Sequence, residues 1–158
     1  MLREYGLFRP KIHGSPYLFP FEKNLILEIR KERFMEKILC VDDDFSLLCL
    51  YREELSEAGY EVILARDSKE ALAKFIEEKP DVAVLDIRMP GMDGIETLTA
   101  FLGIDRQAHV ILNTAYPQYK ENFMAWGADA YVMKSSDLSE LKQKIREVLE
   151  QSRKLPKS

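Results

Sequence analysis

Histidine and cysteine are scarce in this chain, two of each in 158 residues. His13 and His109 fit no metal-ligand spacing and stand beside no candidate nucleophile, so no metal site is built on histidine. Cys40 and Cys49 are too few for a disulfide framework; both are expected to be small hydrophobes in the core of a cytosolic protein. No apolar run approaches the ~20 residues that a bilayer crossing needs. Leu25-Ile26-Leu27 is broken at once by Glu28, which excludes a signal peptide. No glycine-rich loop follows the first apolar run, which removes a nucleotide-binding function. A basic surplus is missing too, with a formal net charge of −4. Residues 1–34 carry seven Lys/Arg against four Asp/Glu and residues 35–158 carry sixteen against twenty-three, so the charges are +3 and −7. An acidic folded part lacks the footprint that neutralises nucleic-acid phosphates, so neither nucleic acid nor membrane is an expected partner.

What the chain does contain is a series of short apolar runs, each closed by a polar group. Ile38-Leu39-Cys40-Val41 leads into Asp42-Asp43-Asp44, and Val82-Ala83-Val84-Leu85 into Asp86. Val110-Ile111-Leu112-Asn113 leads into Thr114, and Tyr131-Val132-Met133 into Lys134. Runs of this kind suit parallel strands buried on both faces. A fifth run, Val62-Ile63-Leu64-Ala65, ends in Arg66-Asp67 and offers no matching group, as befits an edge strand.

Helical spacing fills the intervals. Phe45–Ala58 carries Leu47, Leu48, Tyr51 and Leu55 and stops at Gly59. Ser68–Glu78 carries Ala71, Leu72, Phe75 and Ile76 before Pro80, and Gly94–Leu102 carries Ile95, Leu98, Phe101 and Leu102. Pro117–Trp126 opens with a proline suited to a first helical turn. Asp137 and Glu140 have capping-box spacing before Leu138, Leu141, Ile145, Val148 and Leu149. Strand–helix alternation with short connections makes an α/β fold with a five-stranded parallel sheet and helices on both faces. Ligands of such sheets sit beyond the carboxyl ends of the strands, where all four polar sites fall.

Two unit charges ~4 Å apart repel by roughly 4 kcal/mol at an effective dielectric near 20. Clustering Asp42, Asp43 and Asp86 therefore suits a cation better than it suits stability. Mg²⁺ takes one or two carboxylates, keeps waters and leaves room for phosphate oxygens. Asp86 is then a carboxylate nucleophile, Lys134 a point charge for phosphoryl oxygens and Thr114 a hydroxyl donor. Asp44 is expected only to cap the first helix.

Residues 35–154 resemble the receiver domain of two-component response regulators. The resemblance rests on Ile38-Leu39-Cys40-Val41-Asp42-Asp43-Asp44, on Asp86-Ile87-Arg88-Met89-Pro90-Gly91-Met92-Asp93-Gly94, on Thr114-Ala115 and on Tyr131-Val132-Met133-Lys134. It implies a flavodoxin-like doubly wound sheet of strand order 2-1-3-4-5. It further implies Asp86 as phosphoacceptor, Asp43 as direct Mg²⁺ ligand assisted by Asp42, a metal bond from the backbone carbonyl of Arg88, phosphate binding by Lys134, and a switch pair of Thr114 and Tyr131. The implied partners are a histidine kinase or histidine phosphotransfer protein and a downstream protein effector. The only catalysis expected is of its own phosphoryl transfer and dephosphorylation.

Three features depart from the family. Ser135 stands where proline usually follows the lysine. The stretch from Thr114 to Lys134 is short, which predicts a reduced fourth helix on a face that commonly carries output. Arg88 and Tyr116 are bulky at positions that influence hydrolysis in the family, which predicts slow self-dephosphorylation. Residues 1–34 stand outside the pattern, with Met35 the expected natural start and 155–158 a tail, so a single-domain regulator is expected. The rivals are a receiver-like binding module independent of phosphorylation and, less favoured, a phosphatase of the haloacid dehalogenase kind, whose paired-aspartate signature Asp42-Asp43-Asp44-Phe45 fits poorly.

Overall fold

The computed structural model describes residues 24–27, 35–124 and 126–155. Two compact units divide the chain, Met1–Phe34 and Met35–Ser158. In the first, residues 24–27 are helical. The rest of the expected N-terminal extension lies outside the described residues, as do 156–158 of the tail.

The second unit alternates strand and helix. β1 is Lys37–Val41, β2 Glu61–Ala65, β3 Val82–Leu85, β4 Val110–Thr114 and β5 Ala130–Met133. All neighbouring pairs are parallel, and the order is β2-β1-β3-β4-β5. This is the flavodoxin-like order expected from the sequence. The chain reverses direction across the sheet between β1 and β3, and the crevice at that switch point lies beside Asp42 and Asp86.

Each strand sends alternate residues to opposite faces. Ile38, Cys40, Val84, Ile111 and Val132 pack with Leu48, Tyr51 and Leu55 of α1 (Phe45–Glu57) and with Leu141, Ile145 and Val148 of α4 (Ser139–Lys154). Leu39, Val41, Ala83, Leu85 and Leu112 pack with Ala71 and Phe75 of α2 (Ser68–Glu78) and with Leu98 and Phe101 of α3 (Gly94–Ile104). Phe75 and Phe101 stack at 4.1 Å between centroids, tying α2 to α3.

The helix starts are set locally. Asp44 caps α1 through Ser46 N at 2.9 Å and Leu47 N at 3.2 Å, the capping role expected of it. Asp67 caps α2 through Glu70 N at 2.8 Å. Asp93 and Glu96 form a capping box on α3, in which each side chain serves the other's backbone amide.

Four expectations need correcting. The fourth helix is reduced, as its short span predicts, but further than expected: between β4 and β5 the described residues hold no α-helix, Pro117–Tyr119 is one 3₁₀ turn, and a run of turns leads on toward Gly127, whose φ is +90°. Asp137 is not the capping residue of α4. Its carboxylate accepts from Ser139 N at 2.9 Å and Ser139 Oγ at 2.6 Å, while Leu138, drawn into the core, occupies the cap position. Cys40 is buried but Cys49 is exposed, because it lies about 100° around α1 from Leu48. Ile76 is likewise exposed, one position past buried Phe75.

Candidate functional site

Three strand ends build the acidic floor and its cation. Asp42 follows β1, Asp86 follows β3 and Lys134 follows β5. Asp86 N donates to Val41 O at 2.9 Å, and Lys134 N donates to Thr114 O at 2.9 Å, so ladder bonds fix where each side chain starts. Asp42 and Asp86 are buried, 1% and 4% exposed, whereas Asp43 is exposed. Carboxylate oxygens of Asp42, Asp43 and Asp86 all lie within 4.8 Å of one another. Lys134 Nζ lies 2.7 Å from Asp42 Oδ2 and 3.2 Å from Asp86 Oδ2. The other oxygen of Asp42 accepts from Asp44 N at 2.9 Å.

The electrostatics follow from that burial. Burial pushes the Asp86 carboxyl above the usual carboxylate range and Asp42 adds to the rise, while Lys134 and the Arg88 backbone amide oppose it. For Lys134, burial is the largest influence and favours the neutral amine, but Asp42 and Asp86 together hold it above its ordinary value. Burial, with Asp42 adding, likewise raises the thiol of Cys40 and the phenol of Tyr51, so both stay protonated and inert. Three carboxylates against one ammonium leave two negative charges, the complement of one divalent cation. The donor set suits Mg²⁺: few carboxylates, one of them open to water.

Thr114 is fully buried and its Oγ1 accepts from Tyr116 N at 3.3 Å. The Tyr131 ring is also buried, and its hydroxyl donates to the carbonyl of the same Tyr116. The two expected switch residues therefore meet through one residue's backbone. The Arg88 guanidinium lies 4.4 Å over the Tyr116 ring, and the neighbouring Tyr119 holds its pKa above the ordinary value. Beyond Lys134 the peptide to Ser135 is trans, and Ser135 Oγ accepts from Asp137 N at 3.1 Å.

Some residues support the site in ways that the sequence reading assigns to none of them. Asn113 donates to the Tyr51 hydroxyl beneath β4, with Asn113 Oδ1 otherwise unpartnered. Gly94 packs against the backbone of Asp86 and Ile87. Ser68 and Thr97 bond each other across 29 residues at 2.7 Å.

Residues 38–146 match the profile of the response regulator receiver domain, and the chain belongs to that family, a class of signalling modules in two-component systems. It is 34% identical over 116 residues to sporulation initiation phosphotransferase F of Bacillus subtilis (strain 168), which covers 72% of this chain and 94% of that protein. It is 38% identical over 134 residues to the probable transcriptional regulator ycf27 of Guillardia theta, covering 84% of this chain and 52% of that protein. The chain thus spans about half the length of that regulator. Among solved structures it resembles the response regulator TrrA of Thermotoga maritima in complex with Mg²⁺-BeF, with TM-score 0.69, 42% identity, and coverage of 73% of this chain and 100% of that one. TrrA has also been solved in complex with the histidine kinase ThkA (TM-score 0.68, 42% identity, 73% of this chain and 99% of that one). No helix among the described residues is long and apolar enough to cross a membrane.

Proposed function

We propose that this chain accepts a phosphoryl group on Asp86 from the phosphohistidine of a histidine kinase or of a phosphotransfer protein, in a reaction that requires Mg²⁺, and signals through a protein contact that depends on the phosphorylated state. The observation that carries this is the bridge of Lys134 to both Asp42 and Asp86 inside the acidic cluster. Asp42, Asp43, Asp86 and the Arg88 carbonyl would hold the cation, which when bound neutralises charge on the transferring phosphoryl oxygens. An Asp86 carboxylate oxygen attacks phosphorus. As that O–P bond forms, the P–N bond breaks and the electron pair leaves on the imidazole nitrogen.

Lys134 Nζ, already within 3.2 Å of Asp86, then meets the new phosphoryl oxygens. The Thr114 hydroxyl turns toward the same group. Because Tyr116 joins Thr114 to Tyr131, that turn is felt at Tyr131 and around Tyr116 and Trp126. Intact mass after treatment with acetyl phosphate tests the chemistry. One phosphoryl addition that needs Mg²⁺ and is missing from Asp86→Ala is expected; an unmodified parent chain sinks the proposal.

Arg88 stacked on Tyr116 would also screen Asp86 from water, so the phosphoryl group is expected to persist. Replacing Arg88 or Tyr116 by Ala should speed its loss about tenfold, the factor that ~1.4 kcal/mol of barrier supplies. Following the phosphorylated mass over time checks this, and an unchanged lifetime in both variants assigns the pair no screening role.

A further inference from the structure

The hydroxyls of Ser68 and Thr97 are buried, 6% and 0% exposed, and phosphoryl transfer as described leaves them without a role. A serine opening a helix is ordinarily a cap or a solvated group. Here Asp67 does the capping, so the Ser68 hydroxyl is released for contacts elsewhere. Its Oγ lies 2.7 Å from the carbonyl oxygen of Met92 and 2.7 Å from Thr97 Oγ1. Thr97 Oγ1 lies 2.8 Å from the carbonyl oxygen of Asp93. Met92 and Asp93 end the loop that begins at Ile87, and the Ile87 carbonyl accepts from Gly94 N at 2.8 Å. The loop that carries Arg88 is therefore closed on itself at its base and tied to α2 and α3 by two hydroxyls.

The proton count makes this tie unusual. Three oxygen–oxygen contacts share two hydroxyl protons, so at any instant one contact has none. When Thr97 serves Asp93, the Ser68 proton goes either to Met92 or to Thr97, and Met92 is anchored only in the first case. Asp93 O also accepts from Thr97 N at 3.0 Å and keeps that donor, whereas Met92 O is held by Ser68 Oγ, itself seated 2.7 Å from Thr97 Oγ1. Losing the bond to Met92 costs ~0.5–1.5 kcal/mol, so the two hydroxyls together keep the loop end in place.

We propose that Ser68 and Thr97 are positioning residues for the divalent cation: they latch the Ile87–Asp93 loop so that the Arg88 carbonyl faces the acidic cluster. This rests on the Mg²⁺-assisted role of Asp86 proposed above. Outer groups that orient metal ligands characteristically change affinity by about 10–100-fold when removed.

The test is calorimetric titration of the full chain with Mg²⁺, comparing the parent with Ser68→Ala, Thr97→Val, Thr97→Ser and Asp43→Ala. Ser68→Ala and Thr97→Val are expected to weaken Mg²⁺ binding by about tenfold, and Thr97→Ser, which keeps the hydroxyl, to stay within about twofold of the parent. In acetyl phosphate reactions the half-saturating Mg²⁺ concentration should rise by the same factor while the rate at saturating Mg²⁺ is kept, a split that mere loss of stability would not produce. Parent-like Mg²⁺ affinity in both Ser68→Ala and Thr97→Val overturns the latch. Asp43→Ala separates the two ideas: if it binds Mg²⁺ as the parent does, the cation site itself fails; if it alone loses binding, only the latch fails.

Discussion

Asp86→Asn is expected to take up no phosphoryl group and yet, without Mg²⁺, to melt at a higher temperature than the parent chain. The amide keeps the shape of the side chain but has no anionic oxygen to attack phosphorus. Its effect on stability follows from the 4% exposure of Asp86 and from the way burial, with Asp42 adding to it, holds the carboxyl above its ordinary pKa. A carboxyl whose folded pKa is raised contributes stability below the ordinary carboxylate range, and that contribution is lost as the pH rises through the folded value. At neutral pH the ionised group is therefore held at a cost. An amide has no charge to desolvate, and Lys134 keeps its 2.7 Å partner Asp42 in the variant.

The gain in melting temperature should be about 3 °C, the shift that ~1 kcal/mol makes in a chain of this length. It should shrink on acidification, as the parent carboxyl takes up its proton, and it should shrink again when Mg²⁺ binds the parent. Thermal melts at neutral and acidic pH, with and without Mg²⁺, check all three signs. A parent more stable than the amide variant in the absence of the cation would show that Lys134 outweighs burial at this site. The expectation has a wider basis: chemistry that needs clustered carboxylates is carried against the preferences of the fold, and stability is regained by removing them.

Much of that cluster is legible in the sequence because a buried parallel strand ends where its apolar run ends. Asp42, Asp86, Thr114 and Lys134 each follow such a run, and sheet topology alone brings strand ends together. What stays hidden depends on contacts that have no period. Ser68 and Thr97 read as ordinary helix hydroxyls, and only the fold shows them 2.7 Å apart. Asn113 reads as part of an apolar run, yet its amide serves Tyr51 on a helix 62 residues earlier. The segment after β4 is legible in part, because its short span predicts a reduced helix but not how far the reduction goes. Pro117 is a good first residue for a helix, but the short span back to β5 leaves room for a single 3₁₀ turn. Cys49 sits in an apolar stretch that invites a uniformly buried reading, although α1 buries only the face of Leu48, Tyr51 and Leu55.

Gly94→Ala should be the most damaging small substitution in the domain, costing about 3 kcal/mol or more and impairing phosphoryl uptake. A Cβ at this position would fall on the carbonyl oxygen of Asp86 and lie 2.8 Å from both its carbonyl carbon and Ile87 Cα. All three are backbone atoms, so no side chain can swing aside. Either the first turn of α3 moves or the segment carrying Asp86 does, and the 2.8 Å bond from Gly94 N to Ile87 O ties the two together. Gly103→Ala in the same helix is the control. Nothing lies within 4 Å of the place a Cβ would take there and its φ is ordinary, so alanine should stabilise the chain by up to about 1 kcal/mol. Urea unfolding of both variants, with phosphorylation by acetyl phosphate measured alongside, sets the two cases apart. Parent-like stability and uptake in Gly94→Ala would mean that α3 does not approach the Asp86 backbone this closely. Opposite signs for one methyl group at two glycines of one helix would show that the glycine of the Met92-Asp93-Gly94 turn is required by close approach to the peptide of Asp86 itself, with backbone flexibility playing no part.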